Sequence, residues 1–149
     1  DGKREGEWTF WHDNEHMKST GFYKEGTMNG PWKFFYLNGV KEKEGVLVDG
    51  NADGPWTFWD KNALKIQGGT FKDGIKEGKW TAWFDDGRST EGHYTNGKKN
   101  ETWTSWWDHD RTRKEMQGKY REGKMVDKWY FYDKNGNLKE IRYFSPDFD

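Results

Sequence analysis

The residues best equipped for chemistry are His12, His16, His93 and His109 and the carboxylates beside them. His12 and His16 bracket a turn, and with Asp13 or Glu15 they offer the imidazole and carboxylate ligands that suit zinc. Three converging ligands are hard to supply from one hairpin tip, so the expectation is polar turn residues and no metal. Asp108-His109-Asp110 has the composition of a general base with its orienting acids. No nucleophile stands at a matching spacing, and Asp is common in turns because its carboxylate bonds nearby backbone. Asp85-Asp86 reads the same way. Cysteine is absent, which excludes disulfides and thiolate chemistry. No glycine-rich phosphate loop appears, because the glycines follow a fixed rhythm instead. The sequence therefore predicts no catalytic residue, no cofactor and no enzyme.

Binding chemistry is better represented. Trp11, Phe35, Trp59, Trp83 and Trp106 recur about once per 24 residues. Aromatic side chains of this kind anchor protein interfaces, and a row of them also suits stacking on sugar rings. Asp108, Arg111 and Arg113 sit in what reads as the longest loop and complete the candidate binding set.

These residues are positioned by a repeat. Trp8, Trp32, Trp56, Trp80, Trp103 and Trp129 are separated by 24, 24, 24, 23 and 26 residues. Each is followed by a glycine, Gly21, Gly45, Gly69, Gly92 or Gly118, with Ile141 read in that place in the last copy. Two residues on stands Tyr23, Leu47, Phe71, Tyr94, Tyr120 or Tyr143. A glycine precedes Trp by two positions at Gly6, Gly30, Gly54 and Gly78, replaced by Glu101 and Asp127 later. The copies run 6–29, 30–53, 54–77, 78–100, 101–126 and 127–149, as a single repeat domain over 1–149 with Pro146 closing the last strand. From each second glycine to the next Trp the count is always 11, whereas from Trp to that glycine it is 13, 13, 13, 12 and 15. Length variation is thus confined to one sheet edge, where repeat proteins often carry their binding surface.

Each copy reads as two strands and two tight turns. One turn series is Glu25-Gly26, Asp49-Gly50, Asp73-Gly74, Asn96-Gly97 and Glu122-Gly123. The other is Asn38-Gly39, Asp86-Gly87 and Asn135-Gly136. Both are strong hairpin signals, since type I′ turns need positive φ at both central residues. Two-residue turns place Tyr23 opposite Met28, Gly21 opposite Gly30, Ser19 opposite Trp32, Trp32 opposite Gly45 and Phe34 opposite Lys43. Because faces alternate along a strand, Trp32, Phe34, Gly30, Gly45, Gly21 and Tyr23 share one face, with glycines leaving room for the indole to lie flat. Phe35 and its counterparts fall on the other. The short fourth copy suggests a three-residue loop with Gly87 left-handed. The fold expected is all-β, an elongated single-layer antiparallel meander of about six 24-residue hairpin repeats.

The recurring G-x-W-x-[FW]-[FW]…G-x-[YFL]-x-x-G, as in Gly30–Phe35 and Gly45–Gly50, resembles the MORN repeat, and most closely its bacterial YwqK-type antitoxin variant. The resemblance covers Gly6 to about Tyr143. It implies a meander of hairpins used for protein or lipid contact, and for the bacterial variant an antitoxin or immunity protein with a toxin as partner. A second likeness is local: Lys128 to Gly136 is similar to the aromatic signature of choline- and glucan-binding cell-wall repeats, although no Gly-Trp pair occurs here.

Composition bounds the rest. Aromatic residues make up 19% of the 149 residues, and apolar residues in all only 31%, which suits a thin sheet rather than a sandwich core. With 25 basic and 26 acidic residues the formal charge is −1, the wrong balance for a nucleic-acid binder. No run of 18 apolar residues is present, so no membrane span is expected. The chain begins at Asp1 in mid-pattern, so its location reads as bacterial cytoplasm, or cell surface or periplasm if a leader is removed. The expected function is a non-enzymatic protein-binding repeat module, an antitoxin or immunity protein, with a carbohydrate or cell-wall binder as the alternative.

Overall fold

The computed structural model describes residues 2–145; the strand-closing role expected of Pro146 lies outside them. The strands are β1 (Gly6–Trp11), β2 (Met17–Lys24), β3 (Thr27–Phe35), β4 (Lys41–Val48), β5 (Asn51–Trp59), β6 (Lys65–Lys72), β7 (Ile75–Trp83), β8 (Ser89–Thr95), β9 (Lys98–Trp106), β10 (Lys114–Arg121), β11 (Lys124–Tyr132) and β12 (Leu138–Phe144). They follow one another in chain order in an antiparallel sheet, and no helix occurs among the described residues. The all-β meander read from the repeat is therefore observed. The chain forms two compact units, Asp1–Ile75 and Lys76–Asp149.

The two turn series differ. At Glu25, Asp49, Asp73, Asn96 and Glu122, φ is +47 to +50°, and each following glycine lies at +78 to +86°. Both central residues are left-handed, as type I′ requires. The opposite edge departs from expectation. Tyr36 N–H bonds Val40 O at 2.8 Å and Gly39 N–H bonds Tyr36 O at 2.9 Å. Leu37-Asn38-Gly39 is thus a three-residue loop in which only Gly39 is left-handed, at +84°, not a two-residue turn. The same loop recurs at Gly87 and Gly136. A three-residue loop consequently does not explain the short fourth copy. In the other hairpins of this series the returning strand holds an extra residue, as between Lys43 and Lys41, which face Phe34 and Phe35. Between β7 and β8 the register runs without a shift, and the missing residue is that bulge.

A second irregularity lies before each Trp. Tyr23 faces Met28 as expected, but Gly21 faces Trp32 and Ser19 faces Phe34. Extra residues in β3 around Gly30, whose φ is +94°, move the register, so Gly21 does not face Gly30, nor Ser19 Trp32. Gly30 leaves the Trp face altogether: a Cβ there would meet Phe22 at 3.6 Å. The glycine two before Trp supplies this left-handed backbone, and Glu101 and Asp127 adopt it at +59° without glycine's freedom.

Trp32 does pair with Gly45, and Trp56 with Gly69. The ring that covers Gly45, however, is that of Trp56. A Cβ on Gly45 would stand 2.2 Å from the Trp56 ring, and Gly21, Gly92 and Gly118 are covered in the same way by Trp32, Trp103 and Trp129. Each of these indoles lies on the glycine of the preceding copy and donates its N–H to the carbonyl one residue beyond it: Phe22, Val46, His93 and Lys119, at 3.0 to 3.1 Å. This contact fixes the constant count of 11. Trp8 is 38% exposed, against 1% for Trp32. At the other end Trp129 faces Arg142, not Ile141, because the last hairpin keeps both its loop and its bulge. Phe144, rather than Tyr143, packs edge-on against Trp129.

In the first unit the core is Trp32, Leu47 and Trp56, packed by Tyr23, Phe34 and Phe58 among others. Phe34 stacks between Trp32 at 5.8 Å and Trp56 at 6.5 Å. In the second unit Tyr94 and Tyr120 stand edge-on between Trp80, Trp103 and Trp129, with centroids 5.0 to 6.2 Å apart. Arg4 sits about 5 Å from the Trp8, Phe10 and Tyr23 rings, and Arg142 lies 4.7 Å from Phe131. These guanidiniums lie against rings of the first and last described hairpins.

Candidate binding surfaces

On the face opposite the tryptophan core, the first unit carries Trp11, Phe35 and Trp59. Trp11 is 60% exposed, while Phe35 and Trp59 are half-buried. Lys41, paired with Phe35, holds its Nζ 4.7 Å from the Trp59 ring centre. Phe22, Val46 and Val48 are also exposed. By alternation from Gly21, Gly45 and Leu47 they belong to this same face. Single exposed apolar residues are ordinary, but a contiguous set marks an interaction surface.

The second unit places Trp83 and Trp106 on either side of Ser89, which pairs with both. Ser89 is fully buried, and its Oγ donates to Asp108 O at 2.9 Å. Asp108 holds the five-residue loop together. Its carboxylate accepts from Thr112 N–H at 2.8 Å, Thr112 Oγ1 at 3.0 Å and Arg113 N–H at 3.1 Å. Asp60 and Asp133 fold their three-residue loops similarly. The Thr112 amide, above all, holds the Asp108 carboxyl below the ordinary Asp value. Arg111 pairs with Glu91 and lies 5.9 Å from the Trp106 ring centre. Arg113 reaches Lys134 O at 3.3 Å and, with Arg88 and Trp107, lines a hollow of about 340 Å³ at the loop edge. Arg111 thus shares a neighbourhood with Trp106, whereas the acceptors of Asp108 are spent on its own loop.

The histidines of this edge are clips between successive loops. His12 Nε2 donates to Phe35 O, and His109 Nε2 to Phe84 O, each at 2.9 Å. Asn14 does the same to Leu37 O, Tyr36 to Trp59 O and Asn38 to Lys61 O, at 2.7 to 2.9 Å. Among the described residues no group of three His, Cys, Asp or Glu is placed to hold a metal ion.

One feature on the tryptophan face is not anticipated by the repeat reading. Two residues after Trp stand Phe10, Phe34, Phe58 and Phe131, but Ala82 and Ser105 in the fourth and fifth copies. Where the rings are missing, the second unit has a cleft of about 170 Å³. Ser105 and Thr90, on the strands beneath it, form its floor, and Lys99, Trp103, Met116, Tyr120 and Trp129 also line it. Ser105 Oγ donates to Thr90 Oγ1 at 3.0 Å, which donates to Thr104 O at 3.2 Å. Arg88 and Glu115 pair at the rim at 3.0 Å. Burial lowers the Lys99 ammonium pKa and raises that of the Tyr120 phenol. The phenylalanine missing at Ser105 is the sequence signal for this cleft.

No curated protein matches the chain. Residues 4–25, 28–48 and 128–145 each match the model of the MORN repeat variant. Each of those segments carries the leading Trp of a copy, and the copies between them share the same strand pairing, so the repeats of this chain are similar to the MORN repeat variant.

Proposed function

We propose that this chain is a non-enzymatic binding module whose partner is a folded protein, engaged through Trp11, Phe35 and Trp59 of the first unit, Trp83 and Trp106 of the second, and the loop edge with Asp108, Arg111 and Arg113. The observation that carries this reading is the contrast between the faces. One is filled by stacked indoles, whereas the other leaves Trp11 60% exposed beside exposed Phe22 and Val46. MORN-type repeats serve generally as protein- or membrane-binding modules. No helix of the described residues is long and apolar enough to cross a membrane, and the near-zero charge gives little attraction to an anionic lipid surface. The likeness to the bacterial antitoxin variant extends the reading to an antitoxin or immunity protein acting on a toxin.

The test is affinity capture from the source cell with wild type and with Trp59→Ala/Trp83→Ala. The expected outcome is a protein retained by wild type and lost by the variant while its circular dichroism is unchanged. Saturable quenching of Trp fluorescence by soluble glucans or peptidoglycan fragments, with no protein retained, would replace this reading by carbohydrate binding.

A further inference from the structure

The Trp face of the second unit lacks a ring that the chain provides elsewhere. Phe34 lies between Trp32 and Trp56, nearly parallel to both at 25° and 28°. Ser105 occupies the equivalent place between Trp103 and Trp129, and Ala82 the place one copy earlier. The resulting cleft of about 170 Å³ is close to the roughly 150 Å³ cavity size that admits benzene. Its lining has also changed with the floor. Lys43, opposite Phe34, holds its ammonium 5.0 Å from that ring. Opposite Ser105 stands Met116, whose thioether makes favourable contact with aromatic rings and adapts to what it binds. Trp103 and Trp129, themselves 4% and 1% exposed, edge-on Tyr120 and a flexible thioether border a space the size of one flat ring, with the Lys99 ammonium beside it at 4.3 Å from the Trp103 ring centre.

We propose that this cleft is a binding site for a single aromatic ring, supplied by a Phe or Tyr side chain of the protein partner, which takes the place in the ladder that Ser105 leaves empty. The ring site rests on its own geometry; that a partner protein delivers the ring rests on the protein-binding function proposed above, with the partner reaching the cleft from the loop edge, where Arg88 lines both this cleft and the hollow beside Arg113, and not from the opposite face. The polar rim of Arg88 and Glu115 leaves room for a phenol as well as a phenyl group at the mouth.

The test uses the whole chain and p-cresol, the tyrosine side-chain analogue, followed by the indole N–H resonances of Trp103 and Trp129. Saturable shifts of these two signals are expected with a Kd of about a millimolar, as suits so small a ligand. Ser105→Phe, which restores the ring, should weaken p-cresol binding at least tenfold. Ser105→Leu fills the same space and serves if the larger residue perturbs folding. Ser105→Phe should also lower retention of the partner at least tenfold. Absence of p-cresol shifts, or shifts unchanged in both variants, would overturn the ring site and leave the partner reading to the Trp59 and Trp83 variants. Binding of p-cresol with full partner retention by Ser105→Phe would overturn its assignment to a partner side chain.

Discussion

Gly45 has no room for a side chain, because the Trp56 ring occupies the space of a Cβ. Gly45→Val is therefore expected to destabilise the fold by about 1–3 kcal/mol through overpacking, against the β-propensity that favours valine over glycine in strands. Gly68 is the control: a Cβ there meets Trp56 O at 3.5 Å and Thr57 Oγ1 at 4.0 Å, both ordinary contacts. Gly68→Ala should stabilise by about 0.5–1 kcal/mol. Urea denaturation of both variants checks the pair of signs. The sequence reading placed glycines beside indoles correctly but assigned Gly45 to Trp32, its cross-strand neighbour. The constant count of 11 residues from glycine to the next Trp was the usable signal, since only a contact spanning that interval holds it constant. Asp108 was legible as a turn residue, though not as the acceptor that folds its loop. Its carboxyl pKa lies below the ordinary Asp value in the folded chain, so the ionised form is the one folding favours. The loop's extra stability is present above that ordinary value and is lost as pH falls through the lower folded one. The Thr112 amide resonance should report a titration midpoint below that of an unstructured Asp, and Asp108→Asn should abolish the transition.

Among the elements, the strands that lead into Trp103 and Trp129 carry a cost that the earlier ones avoid. Glu101 and Asp127 hold φ at +59° where Gly6, Gly30, Gly54 and Gly78 stand in other copies. A left-handed residue with a Cβ is disfavoured by about 1–2 kcal/mol, part of which glycine gives back as unfolded-chain entropy. Glu101→Gly should raise stability by about 0.5–1 kcal/mol, read from the thermal or urea midpoint. The type I′ turns at Glu25, Asp49, Asp73, Asn96 and Glu122 were legible, but Asn-Gly and Asp-Gly at Asn38, Asp86 and Asn135 close three-residue loops, so residue type alone did not separate the two series. The bulge missing between β7 and β8 left no mark in residue type. A bulge in this series takes Glu42, Glu115 or Lys139 with no shared preference, so a count of 12 reads equally as a shorter loop. The last copy misled for the same reason: Ile141 and Tyr143 match the pattern by type, whereas the hairpin's length selects Arg142 and Phe144.

At the scale of the whole molecule, fold class is the best-determined property of the sequence, since period, turns and alternation agree. The cleft behind Ser105 was hidden because Ala and Ser are unremarkable on a strand; only comparison with Phe34 and Phe58 makes them conspicuous. A formal charge of −1 also predicts how the molecule meets its partner. Steering by net charge should be weak, so the association rate is expected to change less than about threefold between 50 and 500 mM salt, as measured by surface plasmon resonance. A steep loss of rate with salt would point instead to a polyanion.

The seating of each indole on the glycine before it gives the chain a direction in time as well as in space. On a ribosome adding about 5–20 residues per second, Gly21, Gly45, Gly92 and Gly118 are made roughly a second before the Trp that will cover each. Every such tryptophan thus emerges next to a surface already synthesised, and none has to wait for a later copy to bury it. A chain built with the opposite offset would expose each indole until the following hairpin appeared. Growth by duplication is polarised for the same reason. A new copy appended after β12 would need glycine in place of Arg142, whereas one added ahead of β1 could bring its own glycine for Trp8.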